Sequence, residues 1–408
     1  MTALVSFFFI TLSLSAAESA GELKAYNLLK SFSESGIKDF FKERKIPKMF
    51  LPAKAGVDVY EIIYNTTFAN GDMIKASGLL YVPKSLGGEH PVLLYNHGTE
   101  ICRETHFNGK GEQSVCLAFA TDGYVVLCPD YIGVNKGEGQ QLYLNAATEA
   151  SSSVDMYQAT TPLLKTFGTK ISEQLFLSGY LQGGHATLAT HKLIQEKYAD
   201  KITVTASSPM SGPYNLEQTV YDGRNKRYAY PGYLMFLFHA YYGSQGDYTR
   251  MAEVLKSPYD KTVTPLMNGQ WPMEVINASI PDTAFRSVKE EVLVDFEQNP
   301  NSPFRKYLST NNVYDWKPEA PVQLCYCNGD KEVPYGNSTL AYVTMKKNGS
   351  SSVTLRNAGK KFNHYNCALF AVIYTKMYFD NFVKGKSGNH HHYFKHIVLD
   401  IGKLAIEP

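Results

Sequence analysis

An α/β fold, with a mostly parallel central sheet and helices on both faces, follows from three observations. Short apolar runs without alternation recur at 91–96, 123–131, 202–207 and 321–327, the pattern of strands buried on both faces. Stretches of helical character separate them, and strands spaced by helices pair in parallel because each crossover carries the chain back over the sheet. The third observation is local. At 175–191 an apolar run, a glycine-flanked turn and a helical pattern follow one another without a break.

With 408 residues the chain can bury a large core in one or two domains. A hydrophobic share of 44% against 19% charged residues excludes a disordered or coiled-coil chain. The formal charge of +2 contains no block of one sign, so nothing points to nucleic acid or to an anionic surface. Residues 1–20 have an apolar centre and small residues at their end, the shape of a secretory signal peptide, although no Lys or Arg precedes Lys24. No other stretch is long and apolar enough to span a bilayer, so no transmembrane anchor is expected and the protein is expected to be secreted or periplasmic. Six cysteines agree with export, and Cys102 with Cys116, which flank one loop, form the expected pair. Cys128, Cys325 and Cys327 lie in apolar strand-like runs and are expected as buried free thiols.

The elements follow in order. Residues 21–55 read as an amphipathic helix and a Lys-rich connector. Segments 57–66 and 73–82 alternate around Ala69-Asn70-Gly71-Asp72, a hairpin with an Asn-Gly turn. The strand at 91–96 ends in His97-Gly98-Thr99, and that at 123–131 closes in Pro129-Asp130-Tyr131. A helix over 141–164 carries Asp155, then come the strand, turn and helix to 199, and a strand at 202–207. From 215 to 314 no buried-strand run occurs and aromatics crowd 228–242, so this stretch reads as a helical cap inserted into a core made of 21–214 and 315–408. The sheet resumes at 321–327, followed by a helix carrying Leu340 and Met345, a strand at 352–356, His364 in a loop and a last helix over 367–382. The tail holds His390, His391, His392 and His396, but no carboxylate or Cys stands at ligand spacing, so no metal site is expected.

The glycine-flanked turn points to chemistry. Its five positions read Gly179-Tyr180-Leu181-Gln182-Gly183, the G-x-S-x-G nucleophile elbow of the α/β-hydrolase fold with leucine where the serine stands. Ser-His-acid hydrolysis needs a nucleophile, an imidazole to take its proton and a carboxylate to orient the imidazole. In this fold they come in the chain order nucleophile, acid, histidine. Here that order gives Leu181, Asp330 and His364. Asp330 lies in a turn just past a buried strand; Glu332 is the competing acid, but Val333-Pro334 turns its side chain elsewhere. The oxyanion hole would use the backbone N–H groups of Gln182 and of Thr99, and both survive loss of a serine because they belong to the main chain. No cofactor is required.

The chain resembles the secretory lipase family of α/β hydrolases and its bacterial relatives. The likeness rests on Tyr95-Asn-His-Gly-Thr99, Pro129-Asp-Tyr-Ile-Gly133 and Leu177-Ser-Gly-Tyr-Leu-Gln-Gly-Gly-His-Ala186. It extends through Pro209-Met-Ser-Gly-Pro-Tyr-Asn-Leu216, Gly329-Asp-Lys-Glu-Val-Pro334 with Asn337-Ser338, and His364 with Cys367, covering about 57–385. The resemblance implies Asp330 as triad acid, His364 as triad base, a hydrophobic acyl pocket under the cap, and hydrophobic esters or lipid-like small molecules as ligands. It also implies serine at 181.

Leucine offers no lone pair and no proton, so no acyl-enzyme can form on it. Two expectations follow. Either the chain is a hydrolase-fold protein that no longer hydrolyses and binds a hydrophobic ligand or a partner, or the working form carries serine at 181. A single base change converts a TCA or TCG serine codon into a leucine codon.

Overall fold

The computed structural model describes residues 18–383, apart from 45, 47–50, 85, 106 and 229, together with Leu399. Most of the expected leader and the histidine tail at 390–396 lie outside the described residues. Nine strands form one sheet: β1 (Leu23–Phe32), β2 (Val57–Thr67), β3 (Met73–Pro83), β4 (His90–Asn96), β5 (Val125–Pro129), β6 (Ile171–Tyr180), β7 (Val204–Met210), β8 (Val322–Cys327) and β9 (Val353–Gly359). Their order is β1-β2-β3-β5-β4-β6-β7-β8-β9. The first three strands run antiparallel and β3 meets β5 antiparallel, while every pairing from β5 to β9 is parallel. The chain therefore has the α/β-hydrolase fold, a mostly parallel sheet with helices.

Alternation within the apolar strands sorts the core onto two faces. Leu93 and Phe176 pack with Phe119 and Phe379, from α2 (Glu112–Thr121) and α12 (His364–Asp380). Their neighbours Leu94 and Leu177 pack with Val154, Leu163 and Ile194, from α3 (Ala146–Thr166) and α4 (Gln182–Lys197). Both faces are covered, which is why these strands read as continuous apolar runs rather than as alternating ones.

Between β7 and β8 the structure is helical: α5 (Leu216–Gly223), α6 (Gly232–Gly243), α7 (Tyr259–Thr262), α8 (Met273–Ala278), α9 (Glu290–Gln298) and α10 (Pro303–Thr310). These helices share an apolar cluster, which includes Met235, Phe238, Ile276, Phe296 and Leu308 and is joined by Tyr143 and Leu144 from the segment before α3. The remaining helices are α1 (Glu34–Glu43) and α11 (Gly336–Lys347).

Four local expectations are corrected. The helical pattern after residue 21 gives way to β1, which pairs with β2 through Leu23–Phe32, and only Glu34–Glu43 is helical. Sheet pairing at an edge overrides a weak helical periodicity. The helix expected from 141 starts at Ala146, because Asn145 accepts a hydrogen bond from the Thr148 N–H and caps it. His364 is not a loop residue but the first residue of α12, capped by Asn363 through the Asn366 N–H. Finally, Cys102 and Cys116 are free thiols, and Cys327, expected as a free thiol like Cys128 and Cys325, is instead joined to Cys367 in a disulfide. Tertiary packing brings the end of β8 against α12, a contact no spacing along the chain could reveal.

Candidate active site

The parallel strands end along one edge of the sheet, where open α/β sheets place their ligands. The loop after β4, the turn after β6 and the loop after β8 meet there. At the turn, Leu181 has φ 56° and ψ −115°. A non-glycine residue in that region costs about 1–3 kcal/mol and persists only where its surroundings hold it. Three features hold it. The Leu181 N–H donates to the Met210 carbonyl at 3.1 Å, and the Leu181 carbonyl accepts from the N–H groups of Gly184 and His185. The flanking glycines let α4 press against the β4 loop, since a Cβ on Gly183 would overlap the Asn96 carbonyl. The side chain itself is buried, and burying a leucine contributes about 1.5–3 kcal/mol. Burial and backbone strain are of similar size, so leucine is tolerated here without being favoured.

Asp330 and His364 come together across β8 and α12. The Asp330 Oδ2 and His364 Nδ1 are 2.7 Å apart, and both residues are nearly inaccessible. The second carboxylate oxygen accepts from the N–H groups of Glu332 and Val333, both at 3.0 Å. A carboxylate so engaged accepts the Nδ1 proton and leaves Nε2 as the basic atom. The Cys327–Cys367 disulfide lies three residues before the acid and three after the base, so it ties the two elements that carry them. Tyr180, next to Leu181, donates its hydroxyl to the His364 carbonyl at 2.5 Å and lays its ring 4.8 Å from the imidazole. That contact links the elbow to the acid–base pair. Glu332, the rejected acid, has its backbone N–H on Asp330 and its side chain at the wall of a neighbouring cavity.

The N–H groups of Gln182 and Thr99 have no hydrogen-bond partner among the described residues. Gln182 opens α4, whose N-cap residue Leu181 has no side chain able to cap it, so unpaired N–H groups and the positive end of the helix dipole face the turn. The Thr99 hydroxyl donates to the Tyr143 hydroxyl at 3.2 Å. Glu112, which sequence reasoning missed, sets this loop from below. Its half-buried carboxylate accepts the Gly98 N–H at 2.6 Å and the Tyr95 hydroxyl at 2.8 Å, and desolvation pushes its carboxyl up. With the Gly98 N–H taken, the neighbouring Thr99 N–H is one left without a partner among the described residues. Glu112 sits on a different element from the motif it supports, so no local pattern marks it.

Beside the elbow lies an apolar cavity of about 90 Å³, lined by Leu181, Tyr143, Tyr233, Leu234, Phe285 and Val333 among others. The aromatic run at 228–242 thus serves two purposes: Tyr233, Leu234 and Leu237 face the cavity, and Met235 and Phe238 pack among the helices. Among the described residues no group of three metal-ligating side chains occurs, and no helix is long and apolar enough to cross a membrane.

A family model of secretory lipases matches residues 107–372, more than half of the chain. The crystal structure of the rice cell wall degrading esterase LipA from Xanthomonas oryzae is 30% identical and superposes with a TM-score of 0.77, over 88% of this chain and 96% of that one. A protein from Legionella pneumophila described as a hydrolase is 26% identical with a TM-score of 0.82, over 90% of this chain and all of that one. Candida antarctica lipase A in its closed state shares the fold alone, at 14% identity and a TM-score of 0.68 over 91% of this chain and 84% of that one. No curated protein sequence matches the chain significantly.

Proposed function

The chain belongs to the secretory lipase family, and from that premise we propose that it is a lipase-like hydrolase scaffold that binds hydrophobic esters without cleaving them. One observation carries this reading. Leu181 fills the nucleophile position of an elbow that otherwise keeps its backbone geometry, so the ester carbonyl meets an isobutyl group where an attacking oxygen is needed. In this reading His364 is the idle base, Asp330 its orienting acid, and the N–H groups of Thr99 and Gln182 the idle oxyanion donors. The cavity beside Leu181 takes the acyl or other apolar part of the ligand, and the helices of 215–314 form the cap over it. Residues 1–20 act as an export leader, which puts the mature chain in an extracellular or periplasmic space.

A second reading draws on a specific observation. The Asp330–His364 bond at 2.7 Å is intact, and a ligand binder has no use for it. This favours a recent loss, or a working form with serine at 181.

One pair of assays tests what both readings share, a hydrolase site silenced at 181. The native chain and Leu181→Ser are measured on short-chain and long-chain chromogenic esters, each with and without His364→Ala. The native chain is expected to bind a fluorescent fatty ester and to release no product, while Leu181→Ser turns over in a manner dependent on His364. Turnover by the native chain that His364→Ala abolishes would overturn the binder reading. A silent Leu181→Ser would overturn the assignment of the site to ester hydrolysis.

A further inference from the structure

Beneath the elbow lies a polar cluster that plays no direct part in Ser-His-Asp chemistry. Glu149, in the first turn of α3, and Gln182 and His185, in the first turn of α4, are all buried to within 1% of full occlusion. Glu149 Oε1 accepts from the Gln182 side-chain amide at 2.8 Å, and Oε2 lies 2.7 Å from His185 Nδ1. On the far side of the ring, Nε2 lies 2.8 Å from the carbonyl of Asn311, the residue that closes α10.

Counting donors fixes the protons. A carbonyl only accepts, so Nε2 carries a hydrogen. Nδ1 and the Glu149 oxygen would then be two acceptors facing each other, unless one more proton lies between them. The pair therefore holds that proton and carries no net charge, whichever of the two atoms it sits closer to. Among the described residues, the hydroxyls of Tyr131, Tyr143 and Tyr307 lie near Glu149, and burial foremost, with Glu149 adding to it, pushes each of them up and keeps it neutral.

We infer that Glu149 and His185 form a buried proton-sharing pair that positions Gln182, and through it the backbone N–H at the head of α4. Gln182 follows directly on the strained Leu181, and its side-chain oxygen accepts no hydrogen bond among the described residues, so the bond to Glu149 is its one polar anchor. Anchoring this side chain fixes the plane of the peptide that joins 181 to 182. The protonation half of the inference stands on hydrogen-bond counting alone. The positioning half rests on the hydrolase reading above.

Each half has its own readout. In the nitrogen-15-labelled native chain, His185 is assigned by its loss in His185→Asn, and its Nε2 is expected to be protonated at neutral pH and to remain so. An unprotonated Nε2 would overturn the pairing. In Glu149→Gln the amide donates to Nδ1 and still accepts from Gln182, so Nδ1 loses the shared proton and its nitrogen-15 shift is expected to move to that of an unprotonated ring nitrogen; an unchanged Nδ1 shift in Glu149→Gln would also overturn it.

Positioning is read in the Leu181→Ser background. Glu149→Ala is expected to lower kcat by about tenfold to a hundredfold with little change in KM, a smaller effect than removing an oxyanion donor outright, and Glu149→Gln is expected to restore it. Unchanged kcat in Glu149→Ala, or equal loss in both variants, would overturn the positioning role. If Glu149→Ala does not fold, His185→Phe against Glu149→Gln gives the same contrast. If Leu181→Ser itself has no activity, the hydrolase reading fails while the nitrogen-15 results still decide the pairing.

Discussion

Along the edge where the parallel strands end, the Asp330–His364 pair and the β6–α4 elbow lie side by side, joined through Tyr180. The pair has every contact an orienting acid and a base need: a 2.7 Å bond to the imidazole, two backbone donors on the other oxygen, and a disulfide tying the two elements. The elbow has the backbone of a nucleophile turn, with unpaired N–H groups at its helix, and a side chain with no reactive atom. The comparison teaches that elbow geometry is set by glycines and main-chain hydrogen bonds, whereas its chemistry depends on one side chain. Main-chain geometry at the elbow is thus separable from the chemistry of the side chain it carries.

The largest effect expected is on the elbow. Leu181→Ser should raise kcat/KM on short-chain esters by at least about 10³-fold over the native chain, as restoring a missing triad nucleophile does; ester assays check it. The pair is tested next. In that restored background, Asp330→Asn should lower kcat by about 10³–10⁴-fold, because the imidazole loses the partner that fixes its tautomer. A small loss there would mean that the pair, not the elbow, is the vestigial half.

The tie between acid and base comes third. Replacing Cys327 and Cys367 together by alanine opens a loop with a sequence separation of 40 and should cost about 4 kcal/mol of stability by the chain-entropy argument. A shift in the chemical denaturation midpoint reads it.

A buried carboxylate outside the site sharpens the contrast further. Asp155 receives one hydroxyl, from Thr66 at 2.8 Å, where Asp330 receives two N–H groups and an imidazole. Burial, partly offset by that hydroxyl, pushes its carboxyl up to about 6. In the unfolded chain the ordinary value is about 3.9, so from about pH 4 to 6 the folded state holds a proton that the unfolded state has released. Stability contributed by this group is therefore present at low pH and is lost as pH rises through that window. Asp155→Asn should remove the loss, for a gain of up to about 3 kcal/mol at neutral pH and none below about pH 4. Tm measured against pH for both proteins checks it.

Much of this was legible along the chain. Uninterrupted apolar runs marked strands covered on both faces, and the glycines of 179–184 marked a turn too tight for side chains. The chain order of Leu181, Asp330 and His364 named residues that the fold then brings to one edge. What escaped was non-local or decided by competing interactions. The strand β1 owes its form to pairing with β2, and the start of α12 at His364 depends on the Asn363 cap. The disulfide partner of Cys327 lies on a helix that only packing brings near.

The sequence by itself determined the fold class, because burial on two faces writes its periodicity into each strand. It determined which side chain stands at the elbow too, because residue identity is local. Only the tertiary structure decided how Glu112 holds the Gly98 loop and how Glu149 and His185 meet under Gln182. Those contacts join atoms far apart in the chain, and a hydrogen bond is set by distance and direction in space, which no spacing of residues records.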